Sequence, residues 1–119
     1  MGKTNAYQGK RVLVLGLAKS GYYAAKLLHT LGAIVTVNDA KNLKEDEHAL
    51  ELIQLGIQVF SGGHPTHLMD TAFDVVVKNP GIPYTNSVVI QAIEKGVPII
   101  TALEIATPVM HPPITGIKG

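Results

Sequence analysis

The chain reads as an α/β domain with three layers, a five-stranded, mainly parallel sheet flanked by helices. Two observations predict this class. Apolar runs alternate with helical stripes between residues 11 and 101, and strands alternating with helices imply right-handed crossovers and a parallel sheet. In addition, a strand, a glycine-bearing loop, a helix, a second strand and an acid follow one another between Arg11 and Asp39. An open α/β sheet builds a nucleotide site in that order. Loop amides and the positive helix end face a pyrophosphate, and the acid faces a ribose or base.

Residues 1–10 are polar and form a lead-in. Residues 12–15 are a continuous apolar run, as a central parallel strand buried on both faces requires. Ser20 is the expected cap of the first helix, whose stripe is Ala24, Ala25, Leu27, Leu28 and Leu31 and whose end is Gly32. The second strand covers residues 34–37. A second helix over 44–55 is expected to bury Leu50, Ile53 and Leu43, and Gly56 closes it. Acids at its start suit the positive end of a helix. Residues 57–60 form a third strand, 61–65 a loop and 66–69 a short helical turn. A fourth strand spans 73–77. It runs into Lys78-Asn79-Pro80-Gly81-Ile82-Pro83, where two prolines forbid regular structure. The third helix covers 87–95, the fifth strand 98–101, and a short helix is expected to begin over 102–106. Residues 1–108 are expected to form the domain, and 109–119 a connector leading into a further one.

With 119 residues there is room for one domain with a single core. Hydrophobic residues make up 46% and charged residues 16%, which excludes a disordered chain. A net charge of +1 gives no electrostatic case for nucleic acid or a membrane as partner. Cysteine is absent, so there is no disulfide framework, thiolate nucleophile or Cys-based metal site. No secretory apolar region and no run long enough to span a bilayer is present, so the expected compartment is the cytoplasm.

The dinucleotide fingerprint places glycines at its first, third and sixth positions. Here those positions hold Gly16, Ala18 and Gly21. The alanine methyl stands where a bare backbone would let a pyrophosphate approach most closely, which weakens the case for NAD. Lys19 adds a charge at the same mouth and Ser20 a hydroxyl. Asp39 follows a buried strand, 18 residues past Gly21, at the carboxyl edge where ligands sit. Lys41 stands nearby as a phosphate or ring-oxygen partner, or as a solvated lysine. The Asn79-Pro80-Gly81 turn reaches the same edge, and Gly81 allows close backbone approach. A plain turn explains each of these glycines equally well when it is taken alone.

Taken together, Gly16-Leu17-Ala18-Lys19-Ser20-Gly21, the Val37-Asn38-Asp39 strand end, the Lys78-to-Pro83 segment and Glu104 in a Thr-x-x-Glu setting resemble the N-terminal domain of the MurD family. Its members are the UDP-N-acetylmuramoyl-L-alanine–D-glutamate ligases of bacterial peptidoglycan synthesis. The related L-alanine ligases have a more glycine-rich first loop and match less well. The resemblance implies a Rossmann-like domain that holds UDP and no redox cofactor. By position, Lys19, Ser20 and Gly21 face the pyrophosphate through backbone amides. Asp39 meets the uracil, Ala40 lends a backbone contact, Lys41 flanks, and Asn79 and Gly81 line the neighbouring wall. The resemblance implies no catalytic residue and no metal ligand in this stretch.

Thr115, Gly116 and Gly119 fit the opening of the family's ATP-binding phosphate loop, but Ile117 and Lys118 depart from it and no Gly-Lys-Ser/Thr follows. A shortened chain is therefore expected. It lacks the central and C-terminal domains that in the parent enzyme bind ATP, Mg²⁺ and D-glutamate, and it has no ligase activity of its own. In the family, ATP phosphorylates the substrate carboxylate and the amine of D-glutamate attacks the acyl phosphate. By resemblance, the 119-residue chain would position UDP-N-acetylmuramoyl-L-alanine for that chemistry.

His64 and His67 stand three apart, yet with no thiolate nearby and Pro65 between them they read as loop histidines rather than metal ligands. Tyr22, Tyr23 and Tyr84 follow the two ligand loops without a role legible in sequence. The alternative function is a regulatory or redox NAD(P)-binding module whose Asp39 takes the adenosine ribose.

Overall fold

The computed structural model describes residues 7–64, 68–70 and 72–102. Five strands form one sheet in the order β3-β2-β1-β4-β5, and every pairing is parallel. They are β1 (Arg11–Leu15), β2 (Ile34–Asp39), β3 (Gln58–Ser61), β4 (Val75–Lys78) and β5 (Ile99–Thr101). Between them run α1 (Lys19–Thr30), α2 (Glu47–Gln54), a 3₁₀ turn (Leu68–Asp70) and α3 (Ser87–Glu94).

The alternation of side chains along β1 builds both faces at once. Val12 and Val14 join Ala24, Ala25 and Leu28 of α1 and Leu52 of α2 in one core. Leu13 and Leu15 join Leu68, Met69 and the α3 residues Val88, Val89 and Ala92 in the other. This makes the three layers. The chain moves outward from β1 through β2 to β3, then crosses back to β4 on the other side of β1. Ligands of open α/β sheets bind in the crevice at such a reversal, outside the carboxyl ends of the strands.

Several elements differ from the sequence reading. Ser20 does not cap α1. The chain leaves the tight turn at Gly16 (φ +91) and reaches helical backbone by Lys19, so extended Ala18 is the cap residue and no side chain bonds the first turn. Leu50 and Ile53 are not buried: they are 45% and 51% exposed, while Ala49 and Leu52 face the core. The helix is rolled by one position, so that Leu52 packs in the α1 core and Glu51 on its flank meets Tyr22 and Lys26 of α1. Leu43 is buried but precedes α2, which starts at Glu47 under an Asp46 cap whose carboxylate accepts from Ala49 N at 3.0 Å. Strand β4 starts two residues late and includes Lys78. Asp74 is instead spent on Arg11, whose backbone N–H it accepts at 2.8 Å. Of the helix expected over 102–106 only Ala102 is described, and residues 103–119 lie outside the described residues.

Candidate functional site

Gly21 explains how α1 comes so close to the strand that feeds it. A Cβ at that position would stand 2.2 Å from the Gly16 carbonyl oxygen, so only glycine permits the approach. The approach carries the first turn of α1 to the carboxyl edge of β1. There Lys19, Ser20 and Gly21 hold N–H groups that an α-helix leaves without intrahelical partners, at its positive end.

The loop between β1 and α1 is fastened to the end of β2. Gly16 N donates to the Asn38 carbonyl at 2.8 Å. The Asp39 carboxylate accepts from Leu17 N on one oxygen and from Lys41 N on the other, both at 2.8 Å. Asp39 is thus a clamp between two loops before it is anything else. A carboxylate has about four lone-pair positions, so both oxygens retain capacity for a further donor.

On the far wall the segment after β4 is folded by its own side chains. Asn79 Oδ1 accepts from Gly81 N at 3.1 Å, and Ile82 N donates to the Asn79 carbonyl at 2.9 Å. Lys78, only 4% exposed, donates from Nζ to the Ile82 carbonyl at 2.8 Å and lies under the Tyr84 ring, 4.8 Å from its centroid. Asn79 Nδ2 donates to Ser20 Oγ at 3.5 Å, which joins this wall to α1. The Ser20 side chain thus meets this wall and makes no cap bond to α1.

Between these walls lies a cleft of about 300 Å³. Of the residues singled out from sequence, Asp39, Ala40, Lys41 and Asn79 line it together with Ala18 of the loop. Lys19, Ser20, Gly21 and Gly81 stand beside it in the segments that form its rim. Thr115, Gly116, Gly119 and His67 lie outside the described residues.

Sequence reasoning missed three side chains at the cleft. Asn38 is wholly buried and donates from Nδ2 to the carbonyls of Phe60 (3.1 Å) and Gly63 (2.8 Å), holding the loop after β3. Its Oδ1 meets His64 Nδ1, and His64 Nε2 stands 3.4 Å from Asn86 Nδ2. Asn86 also caps α3, with Oδ1 accepting from Val88 N at 2.8 Å. The legible signal was positional: His64 and Asn86 follow β3 and β4, and so fall at the same carboxyl edge as Asp39.

The groups with displaced pKa values lie away from this cleft, on the outer surface of α1 and α2. Glu51 accepts from Tyr22 Oη at 2.6 Å and pairs with Lys26 Nζ at 2.8 Å. The bond from Lys26, reinforced by Tyr22, holds the Glu51 carboxyl below its ordinary value. The same carboxylate raises Lys26 and Tyr22 above theirs.

Comparison with known proteins places this architecture. Residues 10–101 match the family described as Mur ligase MurD-like, N-terminal domain. The UDP-N-acetylmuramoylalanine--D-glutamate ligase of a Geobacillus species is 58% identical over 119 residues, covering 100% of this chain and 26% of its own length. The enzyme of the same name from Enterococcus faecalis is 56% identical with the same coverage. The chain therefore spans about a quarter of the length of these relatives. Among solved structures, the UDP-N-acetylmuramate-alanine ligase MurC from Thermotoga maritima aligns with a TM-score of 0.63 at 25% identity, over 85% of this chain and 23% of that one. No helix among the described residues is long and apolar enough to cross a membrane. With 92 of its 119 residues inside the matched region, the chain belongs to the Mur ligase MurD-like N-terminal domain family.

Proposed function

We propose that this chain is the substrate-anchoring domain of an ATP-dependent ligase of the cytoplasm that joins D-glutamate to UDP-N-acetylmuramoyl-L-alanine. The observation that carries the reading is the cleft at the reversal point of the sheet, where the opening of α1 converges with the Asp39 clamp. The amides of Lys19, Ser20 and Gly21 take the diphosphate, helped by the helix's positive end. The free lone pairs of Asp39, with Ala40 and Lys41, take the uridine, and Asn79 and Gly81 form the opposing wall. Relatives of the same family with names of this activity support the assignment.

The domain's contribution to the reaction is orientation. Holding the nucleotide end fixes where the distant lactyl-alanine carboxylate lies, and binding energy from a remote part of a substrate lowers barriers elsewhere. In the parent enzyme ATP with Mg²⁺ would supply the activation of that carboxylate for attack by D-glutamate. The relatives are about four times as long as this chain, and on this reading the ATP, Mg²⁺ and D-glutamate sites lie in their remaining length. An NAD(P)-binding redox module is not favoured. The family is that of the Mur ligases, and Ala18 keeps a methyl group where a dinucleotide loop is bare.

Calorimetric titration of the chain with UDP, UDP-N-acetylmuramoyl-L-alanine and NADH tests this reading. Saturable binding of both uridine ligands and none of NADH is expected. Preference for NADH overturns it.

A further inference from the structure

Tyr22 is the first residue of α1 whose side chain grips another element firmly. The turn before it, which carries the amides assigned to the diphosphate, has little of its own to fix it. Ala18 caps the helix without a side-chain bond, and no acid stands in the first turn. A helix start left in that state lacks the stabilisation a capping side chain provides. Lys19 is exposed, Gly21 has no side chain, and Ser20 Oγ takes a long bond, 3.5 Å, from Asn79 Nδ2. The first bond internal to the helix runs from Tyr22 N to the Ala18 carbonyl at 2.8 Å.

Two contacts with α2 make the grip. Tyr22 is 8% exposed, and its ring stacks on His48 with centroids 4.0 Å apart and planes 21° from parallel. Its hydroxyl donates to Glu51 at 2.6 Å, the length of a charge-assisted bond, which is about twice as strong as a neutral one. Lys26 pairs with the other Glu51 oxygen at 2.8 Å, but both of these side chains are partly exposed, and such pairs contribute little by themselves. Helix α2 is a firm support, seated in the core by Leu52 and capped by Asp46. The loop that feeds it starts at Asp39 and Lys41 in the cleft and is tied to the segment after β3. Gly62 N donates to the Lys41 carbonyl at 2.8 Å and Leu43 N to Ser61 Oγ at 3.1 Å. Tyr22 thereby closes a ring. From Asp39 one path runs through Leu17 to the start of α1, and the other through Lys41 and α2 to Glu51.

We propose that Tyr22 is a positioning residue for the diphosphate: gripped by His48 and Glu51, it holds the first turn of α1 in the aim at which its amides meet the ligand. Tyr22 stands outside the lining of the cleft and acts only through the helix. The inference rests on the diphosphate reading of the cleft. It gives the α1–α2 surface cluster a part in binding, where stability alone would be the plainer use.

Inorganic pyrophosphate and UDP are titrated calorimetrically into the intact chain and three variants, well below the melting transition of each as followed by circular dichroism. Tyr22→Phe keeps the ring and its stack on His48 and removes the hydroxyl. Glu51→Leu removes the acceptor. Glu51→Gln keeps an acceptor oxygen for the Tyr22 hydroxyl but ends the ion pair with Lys26. Tyr22→Phe and Glu51→Leu are expected to bind both ligands about tenfold more weakly than the native chain, less than the roughly 10²-fold cost of a full misplacement of about 1 Å. Glu51→Gln is expected to regain most of that affinity, although its Tm at neutral pH falls with the lost pair. A role confined to stability would leave all three affinities native at this temperature. Native affinity in Tyr22→Phe or in Glu51→Leu therefore overturns the inference and leaves the diphosphate site standing. So does a Glu51→Gln chain that binds as weakly as Glu51→Leu, since the ion pair would then carry the effect. A native chain that binds neither pyrophosphate nor UDP overturns the diphosphate reading together with the inference.

Discussion

Replacing Gly21 with alanine tests whether the packing of α1 on β1 is what aims its first turn at a ligand. The added methyl would stand 2.2 Å from the Gly16 carbonyl oxygen and 3.6 Å from Val14 Cγ1. The first distance is about 1.2 Å short of the 3.4 Å at which ordinary contact begins. The oxygen cannot retreat easily, because Gly16 N is bonded to the Asn38 carbonyl and Val14 sits in the buried centre of the sheet. The helix moves instead. Overpacking of this kind costs about 1–3 kcal/mol, and the better helix propensity of alanine returns at most about 1 kcal/mol. The overlap is with backbone, so the upper part of the range applies, and a net loss of about 2 kcal/mol is expected. In a chain of this size that lowers Tm by roughly 6–12 °C. Displacing the first-turn amides by about 1 Å should also weaken diphosphate binding on the order of 10²-fold, the scale on which a misplaced positioning group acts. Thermal melts followed by circular dichroism, with calorimetric titration of UDP, give both readouts. A Gly21→Ala chain that melts with the native chain and binds UDP equally well would refute the argument.

Two further outcomes follow from the same geometry. Asp39→Asn puts an amide N–H₂ where one oxygen now accepts, so either Leu17 N or Lys41 N loses its partner. A loss of about 1–3 kcal/mol in stability is expected, with UDP and pyrophosphate affinities falling together. Unchanged Tm with loss of UDP binding alone would make Asp39 purely a ligand contact. For the α1–α2 surface pair, the Glu51 carboxyl is depressed by Lys26 and Tyr22. Its stabilisation is therefore present above the unfolded value of 4.5 and is lost as pH falls through the lower folded value. Native chain and Glu51→Gln should differ in Tm at pH 7 and converge below pH 4.5. A difference that persists undiminished at the acid end refutes the assignment. At the other extreme Tyr22 and Lys26 are both raised, from 10.0 and 10.5, so their part persists through neutral pH and is lost only as pH climbs past those values.

Sequence pattern was enough where one residue type had one solution. The Val12-to-Leu15 run could only be a strand buried on both faces, and the α1 stripe centred on Ala24, Ala25 and Leu28 had one core to face. It was not enough where two solutions differ by a single position. Leu50 and Ile53 form as good a helical stripe as Ala49 and Leu52. The choice was made by how α2 packs on α1 and the sheet, with Leu52 in the core and Glu51 against Tyr22 and Lys26, which no local rule contains. Ser20 is a preferred cap residue, yet the turn at Gly16 brings the chain into the helix too early for it to act as one. At the cleft, Asp39 and Asn79 were legible because Asp39 ends β2 and Asn79 directly follows β4. His64 read as an ordinary loop histidine, since its partner Asn38 is set by strand alternation and by the register that places Asn38 opposite Phe60.

That register gives the strand end a double use. Successive side chains of a strand point to opposite faces, so Asn38 and Asp39 reach opposite walls of the same cleft. Asp39 holds the loop after β1 through Leu17, and Asn38 holds the loop after β3 through Gly63 and His64. The Asn38 carbonyl adds a third tie, to Gly16. A slip of β2 by one residue would exchange the two faces and release both walls together. The buried run Val35 to Val37, which must keep Val35 and Val37 in the α1 core, forbids that slip. The apolar part of the strand therefore sets the aim of the two polar residues at its tip. The cleft they brace is organised before any ligand arrives, which reduces the ordering that binding would otherwise require.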